Sequence, residues 1–135
     1  MRAEVARKAP DLTTPDAGAA ALRTFFRIAD AWQLTSAEQQ ELLGCGRSRF
    51  FEWKAGNVKA ALDKSVLERL SHIFGIYAAL QVLLPIPERA NAWIRKANTA
   101  PLFGGGSALK RMLGGQVSDL FVVRQYLDAQ RGGWA

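Results

Sequence analysis

Glycine and proline divide this chain of 135 residues into short segments in which apolar side chains recur every three or four positions. That spacing places the apolar side chains along one side of an α-helix, whereas a half-buried strand would alternate every second residue. Glycine and proline then end each helix, because glycine gains more freedom outside it and proline cannot donate the backbone hydrogen bond. The pattern predicts an all-α protein, and nothing in the chain requires a β-sheet.

The first predicted helix begins at Asp16, a residue type whose side chain caps helix N-termini. Residues 1–15 mix charges and two prolines with few apolar residues, which is typical of a mobile tail. The helix is expected to run to Gln33. Its apolar side consists of Leu22, Phe25, Phe26, Ala29 and Trp32.

Two short helices follow and meet at a glycine turn. Thr35 and Glu38 have the spacing of a capping box, in which hydroxyl and carboxylate each bond an exposed backbone N–H, so a helix begins near Ser36. It ends at residues 44–46, and a third helix spans about 47–55. A helix-turn-helix motif of this kind braces on the DNA backbone and places its second helix in the major groove.

One side of this helical pair is expected to pack and the other to stay exposed. The packing side consists of Leu42, Leu43, Cys45, Phe50 and Trp53. The exposed side supplies the candidate DNA-binding residues, which are Arg47, Ser48, Arg49, Glu52 and Lys54. Arginine can make two hydrogen bonds to guanine, so Arg47 and Arg49 are the candidates for base contacts. The alternative is a helical hairpin that only packs, with these charges as a solvated face.

A long central helix follows, capped by Asp63 and ended by Pro85. Its predicted apolar stripe consists of Val66, Leu67, Leu70, Ile73, Phe74, Tyr77, Leu80 and Leu84. Polar residues interrupt residues 66–84, and the N-terminus lacks the apolar core of a secretory signal. We therefore expect no membrane span.

Three shorter helices are expected after the central one. Pro87 suits the first turn of a helix that runs to about Lys96, and Ser107 caps another that ends at Leu113. The last helix covers about 117–130 and is expected to bury Val117, Leu120, Phe121, Val123 and Leu127.

The predicted organisation is a tail (1–15), a helix-turn-helix domain (16–62) and a C-terminal helical module (63–135) that includes the central helix. The net charge of +6 favours an acidic partner such as nucleic acid. One cysteine and one histidine leave no internal disulfide and no zinc cluster, which suits a reducing cytoplasm. No catalytic site can be assembled from these residues, so we expect neither an enzyme nor a cofactor or metal.

Residues 34–56 resemble the helix-turn-helix of the Xre class of regulators, with Gly46 in place of the usual Ser or Thr cap. The second half resembles the toxin-binding domain of the Xre/MbcA/ParS antitoxins. That domain has a Trp, an Asn, a Phe-Gly loop, a Ser-led helix, a Gly break and a final helix that ends in Gly. The matching residues are Trp93, Asn98, Phe103, Gly104, Ser107, Gly114 and Gly132.

The resemblance implies an antitoxin that binds a RES-domain toxin, an enzyme that degrades NAD⁺, and that represses its own operon as a homodimer on operator DNA. Inhibition would be steric, with Arg131 and Trp134 at the free end filling an anionic nucleotide pocket. The other toxin-binding candidates are Trp93, Asn98, Phe103, Gly104 and Ser107. Dimer contacts are expected on the central helix.

Other interpretations of the same residues stay open. Trp93, Phe103 and Tyr126 are also the kind of aromatic residues that fill a core, and Trp134 would equally suit a core cap. The whole chain is also compatible with a helix-turn-helix transcriptional regulator, or with a protein-interaction adaptor, that has no toxin partner.

Overall fold

The computed structural model describes residues 13–133, which form seven α-helices. Three are long: α1 (Pro15–Ala31), α4 (Lys64–Leu83) and α7 (Val117–Gly133). The shorter ones are α2 (Ser36–Leu43), α3 (Arg47–Lys54), α5 (Pro87–Ala92) and α6 (Ala108–Met112), with 3₁₀ turns at Trp93–Arg95 and Pro101–Phe103. Within these residues one bridging pair, Ala97 with Ser107, is the only β-type pairing. The all-α prediction is confirmed.

Side-chain caps begin three of the helices where the sequence predicts them. The Thr35 hydroxyl accepts from the Glu38 N–H at 3.1 Å, and the Glu38 carboxylate accepts from the Thr35 N–H at 2.9 Å. Asp63 caps α4, and Ser107 caps α6. These starts are local events, since each cap satisfies backbone donors within one turn of itself.

Helix α1 begins and ends at other residues than those predicted from the sequence. Its cap is Thr14, whose hydroxyl accepts from the Ala17 N–H at 3.1 Å, and not Asp16, which lies inside the first turn. Pro15 decides between the two, because its fixed φ and missing N–H suit the first helical position. At the other end α1 stops at Ala31, and Gln33 turns the chain with φ 55°.

The core surrounds α4, which packs against α7, α1, α2 and α5. Its buried side chains are Val66, Leu70, Ile73, Ile76, Ala79 and Leu80. Ile76 and Ala79 are missing from the predicted stripe, while Leu67, Phe74 and Tyr77 are only half-buried. The face of α4 that is buried is therefore rotated slightly about the helix axis relative to the predicted apolar stripe.

Among the described residues, α4 alone is long and apolar enough to cross a membrane. Its apolar side chains face α1 and α7 in one continuous core. Six side chains of α4 are buried in this core.

Phe121 corrects the predicted core of α7. We expected it to be buried, but it is 47% exposed. Leu120, Val123 and Leu127 face α4, and Phe121 lies at the edge of that side with its ring centroid 5.7 Å from that of His72.

Two arginines fasten the N-terminal helices to the rest of the molecule. Arg95 donates to the carbonyl of Trp32 at 3.2 Å and to that of Gln33 at 2.6 Å, just beyond the end of α1. Arg69 of α4 donates to the carbonyls of Glu41 at 3.4 Å and Gly115 at 2.9 Å. These bonds fix where the helix-turn-helix sits on the C-terminal helices.

Candidate DNA-reading helix and toxin-binding surface

A tight turn positions α3 against α1. Gly44 adopts the left-handed conformation, with φ 68°, and its N–H donates to the Gln40 carbonyl at 2.9 Å. Phe50 of α3 is fully buried, and its ring lies edge-on to Phe26 of α1 with 6.0 Å between centroids. Because Phe50 anchors one side of α3, the opposite side faces away from the core.

All five candidate DNA-binding residues are exposed, as predicted: Arg47, Ser48, Arg49, Glu52 and Lys54. Their contacts with DNA remain a prediction.

The three cationic side chains of α3 lie over aromatic rings. The Arg47 guanidinium is 5.1 Å from the ring centre of Phe51, and that of Arg49 is 6.0 Å from Trp53. Lys54 points back towards α1, with its ammonium 5.2 Å from the Phe26 ring. Such contacts hold a charged group in place while leaving its outer side free. Arg47 and Arg49 are therefore better placed to reach DNA than Lys54.

The start of α3 is open. Gly46 occupies the cap position and supplies no side-chain acceptor, so the first backbone N–H groups of α3 have no side-chain partner. Exposed N–H groups at a helix N-terminus favour an anion such as phosphate. Ser48 lies in the same turn and adds a hydroxyl donor.

Cys45 lies half-buried in the turn before α3. Burial raises the pKa of its thiol, and the nearby Arg49 only partly opposes that rise. The thiol is therefore protonated near neutral pH, which suits packing and not nucleophilic attack.

An aromatic cluster joins the C-terminal elements. Trp93 stacks on Tyr126 of α7 with 6.5 Å between ring centres, and Phe103 meets Tyr126 edge-on at 5.4 Å. Phe103 is only 6% exposed, whereas Trp93 and Tyr126 are half-buried. Of these three rings, Trp93 and Tyr126 offer surface that a partner could touch.

The other predicted toxin-binding residues shape the loop before α6. The Asn98 side-chain oxygen accepts from the Ala100 N–H at 2.9 Å, and the Asn98 N–H donates to Gly106. Gly104 turns the chain with φ 56° and is exposed. Arg111, which the sequence reading missed, donates to the Leu102 carbonyl at 2.8 Å. The structure thus brings this loop beside the aromatic cluster.

Arg131 lies apart from that loop, in the last turn of α7. Its guanidinium is exposed, with Asp128 4.0 Å away as its ion-pair partner. Trp134, the other residue predicted at this end, lies outside the described residues.

Phe51 on α3 is also absent from the candidates predicted from the sequence. Its ring is 41% exposed beside Arg47. Its exposure could have been predicted from helical spacing, because Phe51 follows the buried Phe50 by one residue and lies one turn after the exposed Arg47.

Two domain families match the chain, in the same order as the two halves of the fold. Residues 11–75 match the antitoxin Xre-like helix-turn-helix domain, and residues 72–133 match the antitoxin Xre/MbcA/ParS C-terminal toxin-binding domain. The chain is also similar to the uncharacterized protein y4oB of Sinorhizobium fredii, with 53% identity over 115 residues, which cover 84% of this chain and 86% of the relative. With its α2–α3 pair beside a helical module built on α4 and α7, the chain belongs to the Xre/MbcA/ParS family of antitoxins.

Proposed function

We propose that this chain is the antitoxin of a type II pair whose toxin has a RES domain and degrades NAD⁺. The observation that carries the proposal is the toxin-binding domain at residues 72–133, directly after a helix-turn-helix. The antitoxin acts in the cytoplasm as a binding protein, not as an enzyme.

Inhibition is steric and uses the end of α7. Arg131 is exposed there with only a distant partner, Asp128, and Trp134 follows three residues later. An arginine three residues before a tryptophan supplies the two chemical groups, guanidinium and indole, that suit a pocket for the anionic and aromatic parts of a dinucleotide. These two residues would keep substrate out of the toxin cleft.

The surface beside the aromatic cluster holds the toxin in place. Trp93 and Gly104 have the exposure to contact it directly. Asn98, Phe103 and Ser107 support that surface from inside the loop, through a turn, a core contact and the cap of α6.

The helix-turn-helix represses the antitoxin's own operon. Arg47 and Arg49 bond guanine edges, Glu52 accepts from a cytosine amino group, and Ser48 and Lys54 contact phosphates. A homodimer places two copies of α3 on paired half-sites, as helix-turn-helix proteins commonly do.

The test is co-expression with the product of the adjacent gene, capture through this chain, and a measurement of NAD⁺ loss. We expect a stable complex, with NAD⁺ consumed only after this chain is removed. Arg131→Ala should keep the complex but restore part of the NAD⁺ loss. The matched control is Arg89→Ala, an exposed arginine on α5, which should inhibit like the parent chain.

Other results would contradict the proposal. The absence of a complex, together with salt-sensitive binding to the chain's own promoter, would favour a regulator without a toxin. A complex whose partner does not consume NAD⁺ would refute the RES-type toxin.

A further inference from the structure

Phe51 is a large apolar side chain on the outer surface of the helix that the proposed function places in the major groove. Of the exposed large hydrophobic side chains among residues 13–133, it is the one on α3. Its ring is 41% exposed, although its neighbour Phe50 is fully buried.

Two contacts hold the Phe51 ring in position. Its centroid lies 5.0 Å from that of Phe50, edge to face, so the anchored ring supports it from the core side. The Arg47 guanidinium lies 5.1 Å from its centroid, one helical turn earlier. The ring is therefore fixed before any partner binds, and little conformational freedom is lost when its open side is covered.

The charges around this ring favour nucleic acid as the partner. Arg47 lies over the ring, Ser48 stands one helical turn before it, and the cap position adds no acidic side chain. The acidic residue of α3 is Glu52, which directly follows Phe51 in the sequence. On the major-groove edges of the bases, the apolar group is the C5-methyl of thymine.

We propose that Phe51 determines specificity by packing against a thymine methyl group, while Arg47 beside it bonds an adjacent base. This inference rests on the DNA-binding part of the proposed function. Cytosine and uracil lack the methyl group, so the contact selects thymine at one position of each half-site.

The experiment changes the DNA first, which leaves the protein intact. Duplexes selected by the full-length chain from a randomised pool are resynthesised with deoxyuridine in place of each thymine in turn. Loss of the contacted methyl should weaken binding about fourfold, as expected for one buried methyl-sized group, while other positions change little. Phe51→Ala should bind both duplexes with equal affinity.

The matched control is Phe121→Ala, which removes a similarly exposed ring from α7 and should keep the preference for thymine. Selected duplexes that bind equally well with uracil at every position would overturn the inference and leave DNA binding intact. Failure to select any duplex would overturn both this inference and the proposed DNA binding. If Phe51→Ala keeps the preference but no longer captures the toxin, the ring is a protein contact and the inference is wrong.

Discussion

Four arginine side chains connect separate elements by donating hydrogen bonds to main-chain carbonyl groups. They are Arg69, Arg95, Arg111 and Arg124. These guanidinium groups keep their charge, but their hydrogen-bond donors are engaged within the fold. Three further cations, Arg47, Arg49 and Lys54, are exposed on α3.

Arg95 bonds carbonyls just beyond the end of α1, and one carbonyl bonded by Arg69 lies in the last turn of α2. The last turns of α1 and α2 contain no basic residue of their own, and a helix C-terminus carries unpaired carbonyls and partial negative charge. Arg95 supplies the missing cation just beyond α1, and Arg69 supplies it at α2.

His72 should make folding stability depend on pH. Burial lowers its pKa, the nearby Arg124 lowers it further, and Glu68 only partly opposes them. As pH falls from about 7.5 to 5.5, the unfolded chain takes up a proton on His72 before the folded chain does, so the free energy of unfolding falls. Because this is the only histidine, its NMR titration is unambiguous and should give a pKa below the ordinary value.

The control for that titration is His72→Gln, which cannot take up a proton in this range. Thermal unfolding at each pH should show a smaller loss of stability in the variant. Identical pH profiles for the two proteins would show that His72 is as easily protonated in the fold as outside it.

At the scale of elements, the turn between α2 and α3 depends on one of its two glycines. Gly44 has φ 68°, and a Cβ there would lie 2.6 Å from the Arg69 side chain. Gly46 has ordinary backbone angles and open space around it. The two positions should therefore respond in opposite ways to substitution.

We expect Gly44→Ala to lower the free energy of unfolding by about 1–2 kcal/mol, because alanine is strained in the left-handed conformation. Gly46→Ser should raise it by roughly a few tenths of a kcal/mol, because serine can cap α3. Urea denaturation measures both. Equal effects at the two sites would contradict this account of the turn.

The contact between α4 and α7 also depends on a small residue. Gly75 lies in the middle of α4, where glycine is normally unfavourable. A Cβ at this position would clash with the Arg124 side chain. The glycine lets Arg124 lie across α4 and donate to the Ser71 carbonyl at 3.2 Å.

At the scale of the whole molecule, α4 belongs to both halves. The two family matches overlap at residues 72–75, within this helix, and one hydrophobic cluster runs from Leu22 of α1 to Leu127 of α7. The division into separate modules at residue 63 remains a prediction about organisation.

Arg95 provides a test of how firmly the halves are joined. Arg95→Ala removes its bonds to the carbonyls of Trp32 and Gln33 and its ion pair with Glu38, so we expect a loss of about 1–2 kcal/mol in unfolding free energy. Amide exchange in α2 should also become faster.

The matched control is Arg89→Ala on α5, since Arg89 is exposed and has no side-chain bond within the described residues. It should change stability by less than about 0.5 kcal/mol. If both variants lost the same unfolding free energy, the loss would come from removing a positive charge and not from the bonds of Arg95.

The all-α class, the helix-turn-helix and most helix starts follow from the sequence alone. The reason is that caps such as Thr35, Asp63 and Ser107 act within a single turn, and apolar periodicity reports which side of a helix is buried. The exposed side of α3 also follows from the sequence, because Phe50 marks the opposite side.

Tertiary packing sets the exposure of Phe121 and Phe51 and the partners of Arg69 and Arg95. Each depends on how far one helix is rotated against another or on contacts between residues far apart in the chain, and helical periodicity does not specify either. The structure therefore added the arginine bonds that hold α2 and the end of α1 against the C-terminal helices. It also showed an aromatic ring on the surface of α3, where the predicted candidates are all polar or charged.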